Sequence, residues 1–124
     1  MLRRLAVATV AGIALAAVFA APAQAAAYSC SASNVCLWVN INYEGTRQMF
    51  SGFNSYADTN SSLHDKASSW GSSNSSQVMC VINFVGGTFE VLGTLNPGNR
   101  TSWVGPSIND KSDAVVQSPQ WTNC

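Results

Sequence analysis

The sequence predicts an all-β fold pinned by disulfides, and three observations carry that expectation. From Tyr28 onward, short apolar segments alternate with Gly, Asn, Ser and Asp, and little of the chain reads as a helical stripe. All four cysteines, Cys30, Cys36, Cys80 and Cys124, follow a secretory-type leader and so meet an oxidising compartment. Beyond the leader roughly a hundred residues remain, enough for one domain but too few for a generous core, which favours covalent reinforcement.

The leader comes first in the chain. Arg3 and Arg4 precede an apolar run over 5–20, then Ala21-Pro22-Ala23-Gln24-Ala25. This order of charge, hydrophobe and small residues reads as a signal peptide over 1–25, with cleavage as late as 27 as the alternative. Its apolar part is short for a membrane span. The expectation is a secreted, extracellular protein whose mature domain is 26–124, with no membrane attachment after cleavage.

The strand expectations follow in order. Val35-Cys36-Leu37-Trp38-Val39 is a continuous apolar run and reads as a strand over 35–39. Residues 47–50 and 101–104 are shorter mixed segments. Residues 77–84, 88–92 and 114–116 are rich in β-branched and aromatic side chains. Asn96-Pro97-Gly98-Asn99 reads as a tight turn, with proline presetting one dihedral and glycine supplying the positive φ. The polar segments 60–62 and 72–76 read as exposed loops.

Four cysteines allow three pairings. Cys30 and Cys36 flank a short Ser/Asn segment suited to a local loop, which leaves Cys80 with Cys124 to tie the second half to the C-terminus. A metal reading of the cysteines is weak, because there is no C-x-x-C pair and His64 is the only imidazole. After the leader, four basic residues (Arg47, Lys66, Arg100, Lys111) stand against six acidic ones (Glu44, Asp58, Asp65, Glu90, Asp110, Asp113). Without a basic stripe, nucleic acid and anionic lipid are poor candidate partners, and none of either kind is expected. Catalysis is also unexpected: His64-Asp65 is the only His–carboxylate adjacency, and no G-x-S-x-G elbow is present.

An internal repeat runs through the domain. Trp38, Tyr43 and Gly45 open the first half, and Met79, Phe84 and Gly86 open the second at the same spacing. Each half closes on a related segment, His64-Asp65-Lys66-Ala67-Ser68-Ser69 and Asn109-Asp110-Lys111-Ser112-Asp113-Ala114. The first half resembles a βγ-crystallin Greek-key motif. That resemblance implies an aromatic corner in a hairpin, folded back at glycine and bonded across to the terminal serine of the closing segment. The second half departs from it, with Met79 in place of the first aromatic and Ala114 in place of the serine.

With Cys36-Leu37-Trp38 before the corner and a later Cys80-Val81, the mature chain resembles the βγ-crystallin-like peptidase inhibitors secreted by actinobacteria, of the metalloproteinase-inhibitor type. The resemblance implies a βγ-crystallin-like sandwich of two Greek-key motifs, a monomer, with an extracellular peptidase as partner and a metallopeptidase as the candidate target. It also implies an inhibitory contact at Met79, Cys80, Val81 and Ile82, although 78–84 reads equally well as a buried strand. Calcium is the one cofactor it suggests, through Asp65, Ser68, Asn109 and Asp110, although each closing segment lacks one preferred residue. The competing reading is a non-inhibitory binding or structural module for calcium or cell-wall glycan, the latter through Trp70, Trp103 or Trp121.

Overall fold

The computed structural model describes residues 28–51, 56–74, 76–118 and 124; the expected signal peptide and cleavage site lie outside the described residues. Eight strands follow one another: β1 (Val35–Trp38), β2 (Arg47–Phe50), β3 (Tyr56–Asp58), β4 (Ser69–Ser72), β5 (Met79–Val85), β6 (Thr88–Leu95), β7 (Arg100–Thr101) and β8 (Ala114–Gln117). They form two four-stranded sheets, ordered β2-β1-β4-β7 and β3-β8-β5-β6. Every neighbouring pair is antiparallel. Each half of the chain therefore keeps three strands in its own sheet and lends its third strand to the other.

Val35, Leu37, Leu63, Trp70, Met79, Val81, Leu92, Leu95 and Val115 fill the space between the sheets. The alternation of the pleat explains which residues these are: in β5, Met79 and Val81 face inward while Cys80 and Ile82 face outward. Those outward residues join Ala114 and Val116 in a second buried cluster, flanked by Tyr56 and Cys124. Both expected disulfides are formed, Cys30–Cys36 and Cys80–Cys124. The second fastens the C-terminal residue onto that outer cluster.

The repeat is real, but its register differs from the sequence expectation. Trp38 stands opposite Ser69, and Ile82, not Met79, stands opposite Ala114. The same equivalence appears in the backbone: Ser68 N donates to Trp38 O at 2.9 Å, and Asp113 N donates to Ile82 O at 2.9 Å. The aromatic and glycine spacing misleads because the second hairpin does not fold over into a corner. It runs straight into the positive-φ pair Gly86-Gly87, and the strand resumes at Thr88. The closing segments do align as expected. Asp65 and Asp110 both adopt positive φ, 54° and 59°. Asp65 N donates to Ser112 O at 3.0 Å and Asp110 N to Ala67 O at 3.4 Å, so the two loops brace each other reciprocally across a pseudo-two-fold axis.

Candidate functional site

Three regions hold the residues singled out by the sequence: the aromatic corner, the paired closing loops and the β5–β6 hairpin. The corner is built as the resemblance implies. Gly45 at φ +77° turns the chain back, and a Cβ there would sit 2.7 Å from Val39 Cγ2, so only glycine fits. The buried Ser69 hydroxyl donates to Asn40 O at 2.7 Å and accepts from Tyr43 N at 3.1 Å. Tyr43 packs against Trp38 and Tyr28 with ring centroids 5.3 and 5.0 Å apart, and Arg100 lies 3.9 Å over the Tyr28 ring. Burial pushes the Tyr43 phenol up, against the opposing pull of Arg100. The arrangement offers no reacting group and serves as a structural latch.

In the second half Ala114 cannot supply that latch, and the preceding residue acts instead. Asp113, buried in the closing loop, accepts from Phe84 N through Oδ2 at 2.6 Å. Its Oδ1 lies 2.9 Å from His64 Nε2, while His64 Nδ1 lies 3.1 Å from Asp65 Oδ2. His64, Asp65 and Asp113 thus converge although they come from different halves of the chain, and Asp113 was not among the residues the sequence singled out for a metal. Its place in the repeat, at the hydroxyl position of the second closing segment, was the available signal.

The calcium expectation grouped Asp65 with Ser68 and Asn109 with Asp110. The structure crosses them over. Asp65 meets Asp113, and Asp110 bonds the backbone beside Ser68. Around Asp65 the donors include an imidazole nitrogen, which does not suit a hard cation that takes oxygen ligands. Beside Asp110 in the chain, Asn109 Oδ1 is buried and has no hydrogen-bond partner among the described residues, and oxygen is the ligand type calcium takes.

Met79, Cys80, Val81 and Ile82 are almost wholly buried in β5, which is paired on both sides, with β6 and with β8. Of the segment 78–84, the buried-strand reading holds for these four residues, while β5 emerges at Asn83 and Phe84. Immediately beyond Val81 the β5–β6 register shifts through a bulge that places Leu92 in the core and turns Val91 outward. Phe84 and Phe89 then pair on the outer face, and Phe84, Val85, Phe89 and Val91 are 38–53% exposed. This apolar hairpin end is the largest set of neighbouring exposed hydrophobic residues among the described residues. Of the tryptophans considered for glycan, Trp70 is buried over Gly93, Trp103 is exposed and Trp121 lies outside the described residues.

Comparison with known proteins bears on both the fold and the role. The sequence model of peptidase inhibitor family I36 matches residues 23–82. A solved structure described under the evolution of the eye lens βγ-crystallin domain fold superposes with a TM-score of 0.53 at 17% identity, covering 73% of this chain and 91% of that one. A clostrillin double mutant in complex with nickel superposes with a TM-score of 0.50 at 24% identity, covering 68% and 95%. No curated protein matches.

Proposed function

We propose that this chain, which has a βγ-crystallin-like fold and is similar over residues 23–82 to peptidase inhibitor family I36, is a non-enzymatic inhibitor secreted to occupy an extracellular metallopeptidase. The family match is the observation that carries this reading. Two disulfides and the leader-like sequence over 1–25 suit an exported protein. The contact is proposed on the outer half of the β5–β6 hairpin. Burial of Val81 moves it along the strand to Phe84, Val85 and Phe89, which are exposed, apolar and held by a paired ladder. A preformed hairpin loses little conformational entropy on docking, and apolar side chains suit the apolar pockets of a peptidase cleft.

The test is a titration of mature protein, residues 26–124, against a metallopeptidase, a subtilisin-like peptidase and a papain-like peptidase. Stoichiometric inhibition of the first alone is expected. Inhibition of another class would keep the family role and reject the target. A Phe84→Ser, Val85→Asp variant should lose inhibition while its stability changes by no more than about 1 kcal/mol, as befits exposed positions. Full inhibition by that variant would place the contact elsewhere.

A further inference from the structure

We propose that His64 and Asp113, oriented by Asp65, form a site for a zinc-class divalent cation that bridges the two Greek-key motifs. The first observation is the unmet need of Asp113. Its side chain is only 6% exposed, and while Oδ2 is bonded to Phe84 N, Oδ1 has no hydrogen-bond partner. Among the described residues, a buried carboxylate oxygen with no aligned hydrogen bond, whose near neighbour is an imidazole nitrogen, is incompletely satisfied and is suited to a cation.

The second observation is what that oxygen faces. His64 Nε2 lies 2.9 Å away without the alignment of a hydrogen bond. Two donors bound to one tetrahedral zinc ion, each at about 2.0–2.2 Å, stand about 3.3–3.6 Å apart, so the 2.9 Å pair needs to open by only about half an ångström to admit the ion. The other ring nitrogen, Nδ1, is 3.1 Å from Asp65 Oδ2. A histidine that binds metal through one nitrogen commonly donates its other N–H to a carboxylate, which fixes the tautomer and raises ligand basicity. Here that arrangement leaves the Nε2 lone pair free to bind a metal ion beside Asp113 Oδ1. One ligand atom from each of the three residues falls within 4.8 Å of the others. Lys66, next in the chain, sends its ammonium to Ser61 O instead of to this cluster.

The donor set selects the ion. An imidazole nitrogen with carboxylate oxygens suits zinc and its transition-metal neighbours, whereas calcium takes oxygen alone. The exposed side of His64 leaves room for water to complete the coordination. The inference does not rest on peptidase inhibition: His64 and Asp113 lie in the closing loops, and Asp113 meets the hairpin through the backbone amide of Phe84, not through its exposed apolar side chains.

The experiment titrates zinc chloride into the metal-free mature protein by calorimetry and follows the melting temperature in parallel. One equivalent of zinc should bind and raise the melting temperature, with excess calcium failing to displace it. His64→Gln, at a half-exposed position, should melt like the parent without metal yet bind zinc at least about tenfold more weakly. Asp113→Asn should also lose zinc binding. If it proves poorly folded, His64→Gln alone decides. The proposal is overturned if zinc fails to bind, if His64→Gln binds it unchanged, or if calcium displaces it.

Discussion

Replacing Ser69 with alanine isolates the latch of the first Greek key. The side chain is fully buried, and its hydroxyl holds two backbone groups of the corner, the Asn40 carbonyl at 2.7 Å and the Tyr43 amide at 3.1 Å. Alanine deletes both bonds and leaves almost no cavity. Each bond is worth about 1 kcal/mol net, and a buried group left unpaired costs about 1–3 kcal/mol. Asn40 is exposed and its carbonyl can recover water, so the loss is centred on the half-buried Tyr43 amide and should total about 2–3 kcal/mol. Urea unfolding with both disulfides intact should show a lower midpoint at unchanged slope. The internal control is Ala114→Ser. It places a hydroxyl at the corresponding buried position of the second motif, where no corner exists to receive it, and should stabilise nothing. A Ser69→Ala change below about 0.5 kcal/mol would refute the latch, because that is the size of an ordinary surface substitution. So would a matching gain from Ala114→Ser.

Three further outcomes are expected. Reducing the Cys80–Cys124 bridge, which spans 44 residues, should cost about 4 kcal/mol by chain entropy, against about 2 kcal/mol for the six-residue Cys30–Cys36 loop; paired Cys→Ala variants measured in urea give both values. Tyr56 is pushed up to about 12 by burial, its hydrogen bond to Asp58 and the Asp58 and Asp113 charges. Between pH 10 and about 12 the unfolded chain therefore holds fewer protons than the folded one, so stability present below pH 10 falls across that window; Tyr56→Phe should abolish this part of the decline in alkaline melting curves. Calcium should bind weakly if at all, through Asp110 and Asn109, so calorimetry of the demetallated protein should show no tight site; a large rise in melting temperature with calcium would contradict this.

The strands legible in the sequence were those whose own composition declares them: β1, β2, β5, β6 and β8 lie within a few residues of their expected positions. Strands β3 and β4 carry no such signal. Ser69-Trp70-Gly71-Ser72 is neither alternating nor β-branched, and it is a strand because β1 and β7 pair with it from both sides. Gly71 is needed there because a Cβ would lie 2.6 Å from the Tyr28 ring. The expected strand over 101–104 shortens to Arg100–Thr101, and Val104 enters the core from the following loop. At the candidate sites, the identity of the closing segments was readable from their shared Asp-Lys pair. Their crossing was not, because which carboxylate meets which loop depends on how the two halves dock. The offset between Trp38 and Ile82 was hidden for a related reason: the two hairpins close through different turns, so their glycines do not mark the same position.

The lending of third strands has a bearing on how this molecule can come into being. With β7 missing, β4 would be an open edge, and with β8 missing, β3 would have nothing to pair with. A ribosome releasing the first half alone therefore delivers an incomplete object, since its sheet awaits residues near Arg100 and its third strand awaits residues near Ala114. The halves must ripen together, in a single cooperative event that joins positions far apart in the chain, and such non-local pairing folds slowly. The two motifs are repeats of one plan, but the exchange leaves neither one complete by itself.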